Sequence, residues 1–257
     1  MKKITTILAT IGLTLSLNAA EKIIVGATPV PHAEILEVIK PELKKAGYDL
    51  EIKVFNDYVV PNLAVNDGEI DANYFQHIPY LKEFNKNKGT NLVETVGVHL
   101  EPMGVYSKKI KNLSELKDGS KVSIPNDPTN ESRALDVLET AGLIKLDKNV
   151  VLKTPLDIVE NPKNLEFVEI EAATLPRTLD DVEISVINTN YALSAGFNPL
   201  KDALALESKD SPYTNIVAVK AENKDSKKIK ALNEALQTEV VKKFILEKYE
   251  GSILPTF

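Results

Sequence analysis

The chain has 257 residues, 31 basic and 37 acidic side chains, and a formal net charge of -6. An acidic balance with no basic cluster argues against a phosphate-backbone partner, so no nucleic acid is expected to bind. The complete lack of cysteine removes disulfide staples, thiolate metal sites and thiol nucleophiles together.

The first segment reads as a leader. Lys2 and Lys3 precede an apolar run from Ile4 to Leu17, which ends in Asn18-Ala19-Ala20 before polar Glu21 and Lys22. A basic start, a short apolar core and small residues at the exit predict a secretory signal peptide over 1–20. The run is shorter than the roughly 20 apolar residues a bilayer span requires. No thiol is present to take a lipid. The mature protein is therefore expected in the periplasm, soluble and not lipid-anchored.

Beyond the leader, short β-branched runs alternate with helical patterns. Lys22 to Ala27 predicts a strand, Ile35 to Ala46 an amphipathic helix, and Leu50 to Phe55 a second strand. A helix through Leu63 and Val65 stops at Gly68, a strand covers Asp71 to Gln76, and a helix covers Pro79 to Asn87. Leu92 to Leu100 is a further strand. The pattern then restarts: strand Lys121 to Ile124, helix Pro128 to Ala141, strand Leu165 to Ile170, short helix Thr174 to Asp180, strand Ile184 to Ile187, helix Tyr191 to Ala195. Asn215 to Val219 is a last strand, and Ser226 to Tyr249 reads as helices that pack back on the first half. Strand, helix, strand in this order predicts parallel βαβ units. The chain is expected to build one α/β lobe from 21–104 plus 208–257 and a second from 105–207. Two crossing segments would leave a cleft between them.

Catalytic chemistry finds little support. His32, His77 and His99 lack metal-ligand spacing, and no nucleophile elbow, phosphate-binding loop or dinucleotide fingerprint occurs. No enzyme activity, cofactor or metal is expected. Two stretches look suited to a small ligand. In Pro125 to Arg133, Asp127 can cap a helix that opens at Pro128, with Asn130 and Arg133 on one face. A guanidinium beside a helix start can grip a carboxylate with two parallel bonds; a capped helix with a surface arginine is the competing reading. In Asp71 to His77, an extended chain puts Phe75 and His77 on one face, able to enclose an apolar or thioether side chain. His99 and Glu101 form a similar same-face pair, and Asn188 and Asn215 stand at predicted strand ends. Each could equally be an ordinary strand or turn residue.

Several stretches carry a family resemblance: Phe55-Asn56-Asp57-Tyr58-Val59-Val60-Pro61-Asn62, Asp71 to His77, Tyr106-Ser107-Lys108-Lys109, and Pro125 to Asn130 with Arg133. Further on come Val159-Glu160-Asn161-Pro162-Lys163, Leu175-Pro176-Arg177, Ile187-Asn188-Thr189-Asn190-Tyr191 and Ser211-Pro212-Tyr213-Thr214-Asn215. In order and over nearly the whole mature chain, these resemble the NlpA-type methionine-binding proteins of bacterial ABC importers. The resemblance implies a two-lobe periplasmic-binding-protein fold of type II-like architecture, each lobe a mixed sheet flanked by helices, with the ligand in the interlobe cleft. It also implies a monomer that carries an amino acid, methionine expected, to an inner-membrane ABC permease and its ATPase. By that analogy Arg133 pairs with the ligand carboxylate beside Asn130, and Asn188 and Asn215 bond its backbone polar groups. Tyr58, Phe75 and His77 surround its side chain, and His99 makes the pocket more polar. Another apolar amino acid or a methionine-containing dipeptide would suit the same scaffold. An exported enzyme or a surface adhesin is the rival class.

Overall fold

The computed structural model describes residues 20–257. The leader expectation falls on residues outside these, apart from Ala20. Two sheets organise the chain. The first is built from β1 (Glu21–Ala27), β2 (Tyr48–Val54), β3 (Ala72–His77) and β4 (Leu92–Leu100). The second takes β5 (Gly104–Tyr106), β6 (Lys121–Pro125), β9 (Glu166–Ile170), β10 (Ile184–Ile187) and β11 (Ala205–Leu206). The chain then returns to the first sheet with β12 (Thr214–Lys220) and β13 (Leu254–Pro255). A separate hairpin pairs β7 (Lys145–Leu146) with β8 (Ile158–Glu160).

Helices α1 (Glu34–Lys45), α2 (Val60–Asp67) and α3 (Ile78–Lys88) flank the first sheet. The second carries α4 (Pro128–Thr140), α5 (Leu175–Thr178), α6 (Thr189–Ser194) and α7 (Pro199–Asp202). After the return come α8 (Lys227–Leu236) and α9 (Glu239–Tyr249). The architecture is the two-lobe α/β fold that the resemblance implies.

Both sheets are mixed. In the first, of order β13-β4-β12-β3-β1-β2, β1 pairs in parallel with β2 and β3. The returning β12 runs antiparallel between β3 and β4. In the second, of order β11-β5-β10-β6-β9, only the β9–β6–β10 part is parallel. The parallel βαβ expectation therefore holds within each lobe and fails at β4, β5 and β11–β13, where the chain crosses or turns back.

Each sheet has its own core. Ile23, Val25 and Ala27 alternate into the first, where they meet Ile35, Leu36, Ile39 and Leu43 of α1, spaced on one helical face. Ile229, Leu232 and Leu236 of α8 and Val241 and Ile245 of α9 close the same cluster. The second core joins Val122 and Ile124 to Leu135 and Leu138 of α4 and to Ile184 and Val186. Gly68 and Gly89, at φ 78° and 68°, end α2 and α3 in the left-handed conformation that glycine adopts without a Cβ clash. Among the described residues no helix is long and apolar enough to cross a membrane.

One buried acid departs from this economy. Glu131 of α4 is almost fully covered, and its Oε1 has no hydrogen-bond partner among the described residues. Burial and then the neighbouring carboxyl of Glu169 push its pKa up to about 8. The folded state thus holds a proton that the unfolded chain releases near pH 4.5. Stability from this group is full below that pH and falls as pH rises toward 8. Glu131→Gln is expected to raise the melting temperature at pH 8 by roughly 2–4 °C for each kcal/mol recovered. The gain should shrink toward zero at pH 4.5; a gain independent of pH in calorimetric scans would contradict the assignment.

Candidate functional site

The carboxyl ends of parallel strands from both sheets face one cleft, where ligands bind in open α/β sheets. From the first sheet, β3 delivers Phe75, Gln76 and His77, and α3, opening directly after it, delivers Tyr80. The register of β12 sets Asn215 opposite His77 on one side and His99 on the other. From the second sheet, β6 leads into α4 with Asn130 and Arg133, and β10 leads into α6 with Asn188, Thr189 and Asn190. These residues, His99 excepted, line one cavity together with Tyr58 and Glu101.

The cavity has an aromatic end. Tyr58 stacks on Phe75 with ring centroids 5.6 Å apart, meets Tyr80 edge-on at 5.8 Å and lies 5.0 Å from Tyr191. Its hydroxyl donates to Asn190 Oδ1 at 2.6 Å, so an aromatic of one lobe is fixed by an amide of the other. His77 makes the second tie between lobes. It caps α3 by accepting the Tyr80 N–H at Nδ1, 3.2 Å, which leaves the Nε2 hydrogen to donate to Asn130 Oδ1, also 3.2 Å. Asn188 Nδ2 donates to the same oxygen at 2.9 Å. Asn130 is held in turn by Asp127, which caps α4 by accepting the Asn130 N–H at 3.0 Å and takes its side-chain amide as well. Burial, and secondarily the Arg133 charge, lower the His77 pKa to about 3, so this imidazole is neutral.

Arg133 is buried at the other end. Nε donates to Glu207 Oε1 at 2.9 Å, and Nη2 donates to Glu207 Oε2 at 2.5 Å and to the Glu101 carbonyl at 2.7 Å. The Tyr213 ring lies under the guanidinium, 4.3 Å from centroid to Cζ. The two-pronged geometry anticipated for a ligand carboxylate is thus directed at the protein's own Glu207. A buried guanidinium needs a counter-charge and partners for its five N–H groups, and Glu207 supplies the first. Glu101 and Glu207 lie on the two segments that cross between sheets, so Arg133 ties the crossings together.

Of the residues singled out in the sequence, Tyr58, Phe75, His77, Asn130, Arg133, Asn188 and Asn215 are brought together in the lining of the cavity. His99 is not. It stands behind the wall, fully buried, with Nε2 on Glu101 Oε1 at 2.7 Å and Nδ1 on the Tyr74 hydroxyl. His32 approaches the same Glu101 oxygen at 3.3 Å, with Nδ1 2.7 Å from Thr28 Oγ1 and Nε2 3.0 Å from Asn215 Oδ1. His32, His99 and Glu101 are the one group among the described residues with the geometry to hold a metal ion. Linear spacing hid them because His32 sits in the turn after β1, far along the chain from His99 and Glu101 at the end of β4. Every imidazole nitrogen in it already has a protein partner. Gln76, Tyr80, Thr189, Asn190 and Glu207 were not anticipated at all. Asn190 stands two residues from Asn188 in a stretch already singled out, and that proximity was the available clue.

A cavity between two lobes, aromatic at one end and charged at the other, with amides from both sides, defines a substrate-binding protein of the two-lobe class. The chain belongs to the family described as NlpA lipoprotein, whose model matches residues 23–257. The methionine-binding lipoprotein MetQ of Bacillus subtilis is 46% identical over 244 residues, 93% of this chain and 89% of that protein. A nutrient binding protein from Burkholderia cenocepacia, solved bound to methionine, superposes with a TM-score of 0.89 at 46% identity, covering 91% of this chain and 100% of that one. A periplasmic substrate-binding protein of an ABC transporter from Coxiella burnetii gives 0.88 at 42% identity, with 91% and 100% covered. These relatives are named for binding and transport rather than for a reaction, in line with the non-enzymatic reading.

The comparisons correct one expectation. The family and its Bacillus relative are lipoproteins, which overturns the reading of a protein without a lipid anchor. That reading rested on a single missing residue type. Membrane attachment leaves no imprint on lobe packing or on the cleft, so nothing in the folded body could have tested it.

Proposed function

We propose that the protein binds a free amino acid, methionine, between its lobes and delivers it to an ABC importer, acting as a monomer toward the permease and its ATPase. The observation that carries this is the polarity of the cavity. Tyr58, Phe75 and Tyr80 offer apolar, polarizable surface, while Arg133, Asn188 and Asn215 bring charge and amides to the same cavity. A thioether packs well against aromatic edges, and a zwitterion needs donors and acceptors together. The methionine-binding relatives support the same reading.

In this assignment Arg133 neutralises the ligand carboxylate through Nη1, the nitrogen its protein bonds leave over, with Asn130 beside it. Asn188 and Asn215 bond the ligand's backbone groups, and Tyr58, Phe75 and His77 enclose its side chain. His99 acts only through Glu101. The lobes comprise 21–104 plus 208–257 and 105–207, and closure is a hinge motion at the two crossings. Denaturing the purified protein and identifying released small molecules by mass spectrometry, followed by calorimetry against the free amino acids, tests the reading. Methionine is expected in the first experiment and as the strongest binder in the second. Heat from methionine no larger than from glycine would overturn it.

A further inference from the structure

One carboxylate of the cleft faces no full positive charge of its own. Arg133 is matched by Glu207, which takes two of its nitrogens. Glu101 also lines the cavity, is 5% exposed, and among the described residues has no lysine or arginine on its carboxylate. Its nearest partners, His32 and His99, are imidazoles that burial holds neutral, with pKa values lowered to about 4 and about 3. A buried carboxylate without a counter-charge is costly. Burial raises the Glu101 pKa, and His32, then the positive charge of Arg133 and the Asn190 N–H, offset that only in part.

The surroundings nevertheless aim this carboxylate. His99 Nε2 and His32 Nε2 both meet Oε1. Tyr74 and Thr28 engage the opposite ring nitrogens, so neither imidazole is free to turn. The same wall holds a second acceptor, Asn188 Oδ1, and a donor, Asn190 Nδ2, both buried and without a partner among the described residues.

We propose that Glu101, positioned by His32 and His99, receives the ligand's α-ammonium, with Asn188 Oδ1 as a further acceptor, and restricts the cleft to guests with a free amine. This rests on the amino-acid reading above and deepens it. Arg133 and Glu101 then form two complementary poles, linked through the bond from Arg133 Nη2 to the Glu101 carbonyl. Acylation of the amine removes the charge that Glu101 needs and adds bulk against a closed wall.

The test compares methionine, its des-amino analogue and N-acetyl-methionine on the wild-type protein and on Glu101→Gln, by calorimetry. Wild type is expected to lose about 100-fold or more in affinity when the amine is removed or acylated. Glu101→Gln should weaken methionine by roughly 30-fold or more while changing the des-amino analogue less than about 3-fold, so the preference for a free amine collapses. Equal weakening of both ligands would make Glu101 merely structural and overturn the proposal. So would tight binding of N-acetyl-methionine by wild type, which needs no folded variant. His99→Gln should narrow the same preference less than Glu101→Gln does, because His99 acts only through the carboxylate. If wild type prefers another free amino acid, methionine as ligand fails, and the same pair of comparisons with that ligand decides the role of Glu101. Binding of no free amine at all overturns both.

Discussion

Arg133→Ala is expected to lower methionine affinity by about 2–5 kcal/mol, the cost of truncating one member of a buried charged pair. That corresponds to a loss between about 30-fold and several thousandfold. The same change strands the Glu207 carboxylate, which otherwise accepts from Nε and Nη2 of Arg133 and from the Met103 N–H at 3.1 Å. Two measurements separate the effects. Calorimetric titration reads the affinity, and thermal unfolding without ligand reads the structural cost of an unpaired buried charge. Restoring charge balance with Arg133→Ala combined with Glu207→Gln should recover much of the melting temperature and none of the affinity. Full recovery of binding in that double variant would remove Arg133 from recognition.

Acid should unfold this protein early. His32, His77 and His99 are buried and neutral, with pKa values lowered from 6.5 to about 4, about 3 and about 3, burial being the first cause in each case. Below pH 6.5 the unfolded chain takes up protons that the native state refuses. Stability from these groups is therefore complete above pH 6.5 and drains away as pH falls toward their folded values. Glu101 and Glu131 work in the opposite direction, since their raised pKa values let the native state accept protons earlier than the unfolded chain. The net loss between pH 6.5 and pH 4.5 is expected to be about 2–5 kcal/mol. Denaturant titrations across that range measure it directly. A flat profile would mean that at least one imidazole is charged or solvated in the native state.

How much of this could be read in the residues depends on the range of the forces involved. Elements with a full period in sequence were legible: the alternation Ile23, Val25, Ala27, the stripe Ile35 to Leu43 and the cap at Asp127 are local patterns. Strands β5, β11 and β13 were not, because two or three residues carry no period and their place is fixed by pairing with distant partners. The same division runs through the cleft. Arg133 and Asn130 announce themselves by sharing a helix face beside a capped start. Glu207 does not, since it meets Arg133 across 74 residues and sits near the acidic and basic residues of an ordinary loop. His99 was placed on the correct face with Glu101 but assigned to the wall. The fold puts Glu101 in the lining and His99 behind it, with Nε2 on Glu101 Oε1 at 2.7 Å.

The bonds from Tyr58 to Asn190 and from His77 to Asn130 have a consequence for transport. Both run from protein to protein, so part of the free energy that holds the jaws shut is encoded in the chain itself. A guest can bias that equilibrium only by the contacts it adds beyond this built-in latch. An importer that reads jaw position alone would then distinguish loaded from vacant carriers by a modest ratio, and stringency at the membrane would have to come from the guest's own charges.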